Sequence, residues 1–207
     1  GGLGGKQVIN TILDGNILLG GGGGSSTSES GSSASSGGKG GGIIIIISDT
    51  LKSIGIHTIM ANGEPAALSI GNAGAGGGGG GGSLALYQRS FSLQNSSSEL
   101  KIFANGGNGG NTGTNNGEGG GGGGGLIFTN ALTFPSRVDT STAGGLRGTR
   151  GIGQRYSENG KYGKVKTNFV PLLNGFLFNT IRSAISNNQV DSVCSNMRPP
   201  KIIGTKA

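Results

Sequence analysis

Apolar residues in this chain come in short runs, and most of the runs begin where a block of glycine ends. Glycine is dense at 20–24, at 37–42 around Lys39, at 76–82 and at 119–125. The last three blocks lead into the five isoleucines at 43–47, into Leu84-Ala85-Leu86-Tyr87 and into Leu126-Ile127-Phe128. These junctions, at 43, 83 and 126, stand 40 and 43 residues apart. A flexible linker has no reason to keep such spacing. A repeating fold does, because each unit must bury its apolar edge on the next.

A second apolar run follows in two of the units. Ile56-His57-Thr58-Ile59-Met60 precedes Ala61-Asn62-Gly63, and Leu100-Lys101-Ile102-Phe103 precedes Ala104-Asn105-Gly106. The Ala-Asn-Gly triplets lie 43 residues apart, so a separate marker gives the same spacing. Asn-Gly tolerates positive φ and reads as a two-residue turn. A weaker earlier copy has a strand over 7–13, a turn at Asp14-Gly15 and an apolar stretch at 16–19.

The runs are short, β-branched and bounded by turn residues, so the expected fold is all-β. It is expected to be a glycine-rich, β-solenoid-like module of about 40–43 residues per repeat. Residues 100–103 partly alternate, which predicts one wet face. The isoleucine run does not alternate, and predicts a strand covered on both sides. Each fully buried isoleucine contributes about 1.5–3 kcal/mol, whereas the same run on an open edge is an aggregation hazard. No segment has the pattern of a long amphipathic helix. The nearest, 176–185, carries Asn179 and Thr180 after Gly175 and reads as extended.

Composition sharpens the glycine question. Of 207 residues 49 are glycine, where ordinary usage would give about 15. Each glycine in regular structure costs about 0.5–1 kcal/mol relative to alanine. A seven-glycine run therefore needs a gain that alanine cannot supply. Contact between backbones with no Cβ between them is such a gain. Stacked solenoid coils and a bundle of polyglycine helices would both use it.

The net charge is +7, and its distribution is uneven. Arg137, Arg147, Arg150, Arg155, Lys161, Lys164 and Lys166 fall in one stretch, opposed there only by Asp139 and Glu158. Such a patch suits acidic polysaccharide, anionic lipid or nucleic acid. Arg147, Arg150, Arg155, Lys161, Lys164 and Lys166 are the candidate polyanion-binding residues. The Arg-Gly pattern at 147–151, near Tyr156 and Tyr162, also has the composition of single-strand nucleic-acid binders. Two aromatics over that span make a thin stacking platform, so nucleic acid is not the expected partner.

Catalytic chemistry has little to draw on. His57, the one histidine, sits in an apolar strand and reads as a packed or surface imidazole; any Ser-His-Asp or Cys-His pairing would require it. Cys194 is single, so no internal disulfide is indicated. The nine acids are scattered, with no calcium-loop spacing, and one Cys with one His argues against zinc. Gly38-Lys39 is followed by Gly40 and Gly163-Lys164 by Val165, so neither completes a phosphate-binding loop. The expectation is a non-enzymatic chain without cofactors.

No apolar stretch reaches the 18 residues of a membrane span. The chain opens on Gly1 without a leader pattern and reads as an internal piece of something longer. Three parts are expected: a glycine-rich β region at 1–135, an irregular basic segment at 136–167, and a β-rich segment at 168–207 leading to a following module.

The tail carries a resemblance. Asn174-Gly175-Phe176-Leu177-Phe178-Asn179-Thr180-Ile181 is followed by Val190-Asp191-Ser192-Val193-Cys194 and then by Pro199-Pro200-Lys201-Ile202-Ile203-Gly204-Thr205. This resembles the junction before tandem Ig-like repeats in very large secreted adhesins of gliding bacteria. The glycine blocks, with Ala104-Asn105-Gly106-Gly107-Asn108-Gly109-Gly110, are similar to glycine-rich regions of long bacterial surface proteins. The resemblance implies export by the type IX secretion route, with secretion-machinery proteins as partners. It also implies display at the bacterial cell surface and a part in adhesion or gliding motility.

The expected function is thus a structural section of an extracellular adhesin. Its expected partners are acidic polysaccharide or another cell-surface polymer, and it is expected to assemble into extended or fibrous arrays. Two alternatives stay open: a polyglycine-helix or ice-binding type of surface recognition protein, and a basic module that binds nucleic acid or another polyanion.

Overall fold

A computed structural model describes residues 1–8, 17–28, 32–69, 72–113, 115–151 and 157–169. All of them belong to one compact unit, Gly1–Leu172. The second unit, Leu173–Ala207, lies outside the described residues, as do Asp14-Gly15, Arg155 and most of the strand expected at 7–13.

Seven strands and no helix make up the regular elements among these residues. They are β1 (Ile43–Ser53), β2 (Ile56–Met60), β3 (Ser83–Leu93), β4 (Glu99–Phe103), β5 (Leu126–Thr129), β6 (Val138–Ser141) and β7 (Lys164–Lys166). One sheet has the order β1-β3-β5-β7, the other β2-β4-β6, and every pairing is parallel. The register sets Ile43 beside Ser83, Ser83 beside Leu126 and Leu126 beside Lys164, offsets of 40, 43 and 38 residues. The all-β expectation holds. The basic stretch 136–167 contributes β6 and β7 to the two sheets, and its other described residues lie outside strands.

Between the sheets lies the apolar core. Leu84, Leu86 and Ile127 come from one sheet; Leu100, Ile102 and Val138 come from the other. Ile44, Ile46, Ile59, Phe91 and Phe134 pack around them. Period-2 alternation explains the choice: Leu84 and Leu86 point inward, as do Leu100 and Ile102. The chain passes from β1 to β2 through a tight corner at Gly55, whose φ of 93° favours glycine. Gly55 N donates to Ser98 Oγ at 3.0 Å, and Ser53 Oγ donates to Glu99 O at 3.1 Å, so the corner is tied to the next layer.

The isoleucine run departs from expectation. β1 is an edge strand, and Ile43, Ile45 and Ile47 remain 40%, 42% and 41% exposed. Only Ile44 and Ile46 pack on the core. An unbroken apolar run therefore still alternates in its environment, because the strand geometry does so whatever the residue type.

Glycine supplies the other half of the unit. In segment 76–82 the backbone donors follow a three-residue cycle. Gly77 and Gly80 donate to Gly24 and Gly21; Gly78 and Gly81 donate to Gly120 and Gly123; Gly79 and Gly82 donate to Glu64 and Ala61. The acceptors cycle likewise: Gly77 O and Gly80 O accept from Gly38 and Gly41, Gly78 O from Gly5, and Gly79 O from Gly107. The segment thus bonds to six neighbours in three-fold rotation. Gly55 is the one described glycine with a positive φ. Extended backbone at negative φ with three residues per turn is the polyproline II conformation, which has no internal hydrogen bonds and must find partners outside itself.

These segments form three rows. The middle row is 37–42, 76–82, 119–125 and 157–163, each running into a strand of the first sheet. On one side lie 61–66, 104–111 and 142–149, each running out of a strand of the second sheet. On the other side lie 20–24 and 1–5, bonded to the middle row through Gly80, Gly41, Gly5 and Gly123. Every residue from 73 to 88 is buried, the whole of 76–82 included. A Cβ on Gly79 would overlap the carbonyl oxygen of Lys39, and one on Gly122 that of Gly79. Alanine is excluded by neighbouring backbone, which cannot rotate away as a side chain can.

The Asn-Gly pairs are also not turns. Asn62 and Asn105 have no positive φ and open the side-row segments. Asn62 Oδ1 accepts from Asn105 N at 2.8 Å. Asn105, Asn108 and Asn111 then accept at 2.8 Å from the N–H groups of Ala143, Leu146 and Thr149. Both series advance by three residues, as the three-fold backbone requires. Asparagine supplies acceptors that alanine lacks, and the adjoining glycines supply the close approach.

If this packing holds the unit together, glycines differ sharply in what they tolerate. Gly79→Ala should lower the unfolding free energy by about 3 kcal/mol or more, through overpacking against fixed backbone. Gly42→Ala, where nothing lies within 4 Å of the added atom, should change it by less than about 0.5 kcal/mol. Denaturant unfolding of the two variants checks this, and equal effects would contradict it.

Candidate functional site: a basic edge and an open groove in the glycine rows

The basic residues separate into two sorts. Arg137, Arg147 and Arg150 hold loops. Arg137 Nη1 donates to the carbonyls of Asn95 and Ser98, and its Nη2 donates to Leu93 O at 3.3 Å. Arg147 Nη1 donates to Ser157 O at 3.3 Å, and Arg150 Nη2 donates to Asn115 O. Each guanidinium neutralises carbonyl dipoles at a layer connection, a role its forked donors suit.

The lysines lie on β7 or on the segment that leads into it. Lys164 and Lys166 are alternate residues of β7, the edge strand opposite β1, and so share a face. Lys166 Nζ sits 3.9 Å from the ring centroid of Phe169, which itself packs on Phe128 at 5.4 Å. Lys161 is exposed on the segment that leads into β7. Of the six candidate residues, the structure joins Lys161, Lys164 and Lys166 on one segment and its strand. It places Arg147 and Arg150 in loop contacts, and Arg155 lies outside the described residues.

Other reactive groups are placed plainly. His57 is exposed, with Nε2 2.8 Å from Ile54 O. Tyr87 is 3% exposed, and burial pushes its phenol well above the usual tyrosine range. Among the described residues no group of three His, Cys, Asp or Glu side chains is placed to hold a metal ion. No helix among them is long and apolar enough to cross a membrane.

One concavity stands out beside the middle row. It has a volume of about 690 Å³ and runs between segments 1–7, 117–123 and 157–161. Glu118, 3% exposed, borders it and accepts from Ser157 N at 3.2 Å. Gln7, which also borders it, donates from Nε2 to Tyr162 O. The walls are mostly bare backbone.

Comparison with known proteins adds no relative. The chain matches no protein-family model, no curated protein and no solved structure.

Reading the sequence for chemistry missed the groove, because side-chain motifs do not mark a site made of peptide groups. A signal existed in Gly1-Gly2-Leu3-Gly4-Gly5: glycine at two positions of every three, with the third residue, Leu3, 83% exposed.

The two sorts of basic residue should respond differently to truncation. Arg137→Ala frees the carbonyls of Leu93, Asn95 and Ser98, of which those of Leu93 and Ser98 belong to half-buried and buried residues, and should destabilise by about 1–3 kcal/mol. Lys164→Ala should shift stability by less than about 0.5 kcal/mol. Thermal unfolding of both variants checks the assignment, and a larger loss from Lys164→Ala would reverse it.

Proposed function

We propose that this chain is a non-enzymatic structural section of an extracellular cell-surface adhesin. In this reading the unit of about 40–43 residues is a repeat that stacks in the manner of a solenoid, and the glycine rows are its scaffold. One observation carries the proposal: polar loops at the glycine end are held side by side across layers. Ser28 bridges Ala73, Asn72 N donates to Ser32 Oγ at 2.9 Å, Thr112 Oγ1 donates to Ala73 O at 3.2 Å, and Ser69 Oγ donates to Asn111 O at 3.1 Å. Loops rich in Ser, Thr, Asn and Gly normally move freely. Fixing them in a row makes a surface that many weak contacts can share, as adhesion to a polymer demands.

Lys161, Lys164 and Lys166 are the residues proposed to meet acidic polysaccharide, at the sheet edge formed by β7. The three ammonium groups attract a polyanion through largely exposed charge, so the attraction is screened by salt. Type IX export, gliding and assembly into fibrous arrays belong to the same proposal and rest on the resemblance of the tail.

A second reading, a polyglycine-type surface recognition protein such as an ice binder, is favoured by the three-residue hydrogen-bond cycle and the exposure of Gly21, Gly22 and Gly24. Thermal hysteresis in a concentrated solution of the chain would support it over adhesion.

The adhesin reading is tested by flowing alginate-coated beads over the immobilised chain. Retention should occur at low salt, fall steeply as salt rises to about 0.5 M, and disappear in the triple variant Lys161→Glu, Lys164→Glu, Lys166→Glu. Equal retention of beads coated with neutral dextran, or none at all, would refute it.

A further inference from the structure

Among the described residues no segment occupies the groove, which is the next position in the rows of glycine segments. The hydrogen-bond cycle of segment 119–125 shows this by comparison with 76–82. Gly119, Gly122 and Gly125 donate to Gly110, Gly107 and Ala104; Gly120 and Gly123 donate to Gly2 and Gly5; Gly121 and Gly124 donate to Glu158 and Lys161. As acceptors, Gly119 and Gly122 take N–H from Gly148 and Gly145, while Gly120 and Gly123 take it from Gly78 and Gly81. One direction of the six is left over, that of the carbonyls of Gly121 and Gly124, which accept no N–H from any described residue. In segment 76–82 the equivalent carbonyl, Gly78 O, accepts from Gly5 at 2.8 Å. The same position one layer on is the groove.

The remaining walls agree. Gly120 and Gly123 donate to segment 1–5; their equivalents in the next layer, Glu158 and Lys161, have backbone N–H groups with no acceptor among the described residues. Gly24 N donates to Leu3 O across the outer row, and Gly4 N, which faces the next place in that row, has no such acceptor among the described residues. Gly4, Gly121, Glu158 and Lys161 all border the groove. Donors therefore line two walls and an acceptor the third, in the arrangement that holds segment 1–5 one layer below.

We infer that this groove binds a glycine-rich peptide segment of another polypeptide in the extended three-fold conformation. The occupant donates to Gly121 O and accepts from Glu158 N–H, Lys161 N–H and Gly4 N–H. Segment 1–5 shows the sequence it needs. A Cβ on Gly1, Gly2, Gly4 or Gly5 would overlap backbone atoms of neighbouring segments, while Leu3 points to solvent. The ligand is a Gly-Gly-X-Gly-Gly segment, selected by what it lacks: any Cβ at four positions of five closes the approach. Specificity of this kind comes from steric exclusion as much as from attraction.

The test uses the whole chain and the peptide acetyl-Gly-Gly-Leu-Gly-Gly-Lys-amide, titrated by calorimetry and by amide chemical shifts. Saturable binding at one site is expected, with shifts concentrated at Gly4, Gly121, Glu158 and Lys161. An Ala-Ala-Leu-Ala-Ala-Lys analogue should bind at least about tenfold more weakly. Glu158→Pro removes one N–H from the wall yet suits the backbone, since proline fixes φ near the polyproline II value. It should weaken the peptide by about fivefold to tenfold with the melting temperature unchanged, and Glu158→Ala, which keeps the N–H, should bind as the parent does. No binding at millimolar peptide, equal binding of the alanine analogue, or equal loss in Glu158→Ala would overturn the inference.

Discussion

Hydrogen bonds between glycine backbones, at a separation that admits no Cβ, are what the rest of this structure depends on. Each bond contributes about 0.5–1.5 kcal/mol net, which is modest. Their number and the absence of any alternative give them their weight. A polyproline II segment makes no internal hydrogen bonds, so one buried among others must satisfy its N–H and C=O groups laterally. Segment 76–82 does so against six neighbours, and a single added methyl at Gly79 would press on a carbonyl. The cost of ordering so much glycine is offset by contacts open to no other residue.

The strands inherit their register from this arrangement. Gly82 N donates to Ala61 O, Ser83 N to Gly42 O, and Leu126 N to Gly82 O, so the lattice of one end passes without a break into the ladders of the other. Because the glycine segments fix which residues stand side by side, β1, β3 and β5 can bring Ile44, Leu84 and Ile127 onto one face and bury them against Leu100 and Ile102. Parallel pairing has no tight hairpins to set its register. Here bare backbone sets it. Asparagine extends the same logic to the side row, where Asn105, Asn108 and Asn111 replace the acceptors that a further row of segments would offer.

Much of this was legible in the residues. The glycine-to-aliphatic junctions at 43, 83 and 126 are the starts of β1, β3 and β5, and the runs at 56–60 and 100–103 are β2 and β4. The spacing read from those junctions reappears as the offset between paired strands. Four features were hidden, each for a physical reason. Asn-Gly has a turn preference, but lateral bonding of Asn62 and Asn105 overrides it. Five isoleucines in a row imply two covered faces, yet β1 lies at an edge, which no local pattern reveals. The basic stretch looked turn-prone because Gly, Arg, Lys and Ser dominate it, while the same glycine let 142–149 and 157–163 join the rows. The groove was the least legible of all, since peptide groups line it and peptide groups are present everywhere in a sequence.

The account therefore rests on glycine as scaffold, with loops, basic edge and groove as what the scaffold presents. Hydrogen exchange of the backbone amides in 76–82, measured by NMR in the intact chain, tests it most directly. Buried lateral bonding predicts exchange at least about a thousandfold slower than in a free glycine peptide, with protection shared by all seven amides and lost together on unfolding. Exchange at the rate of a free peptide, while the amides of β3 stay protected, would show that the glycine blocks are not packed and would contradict the account.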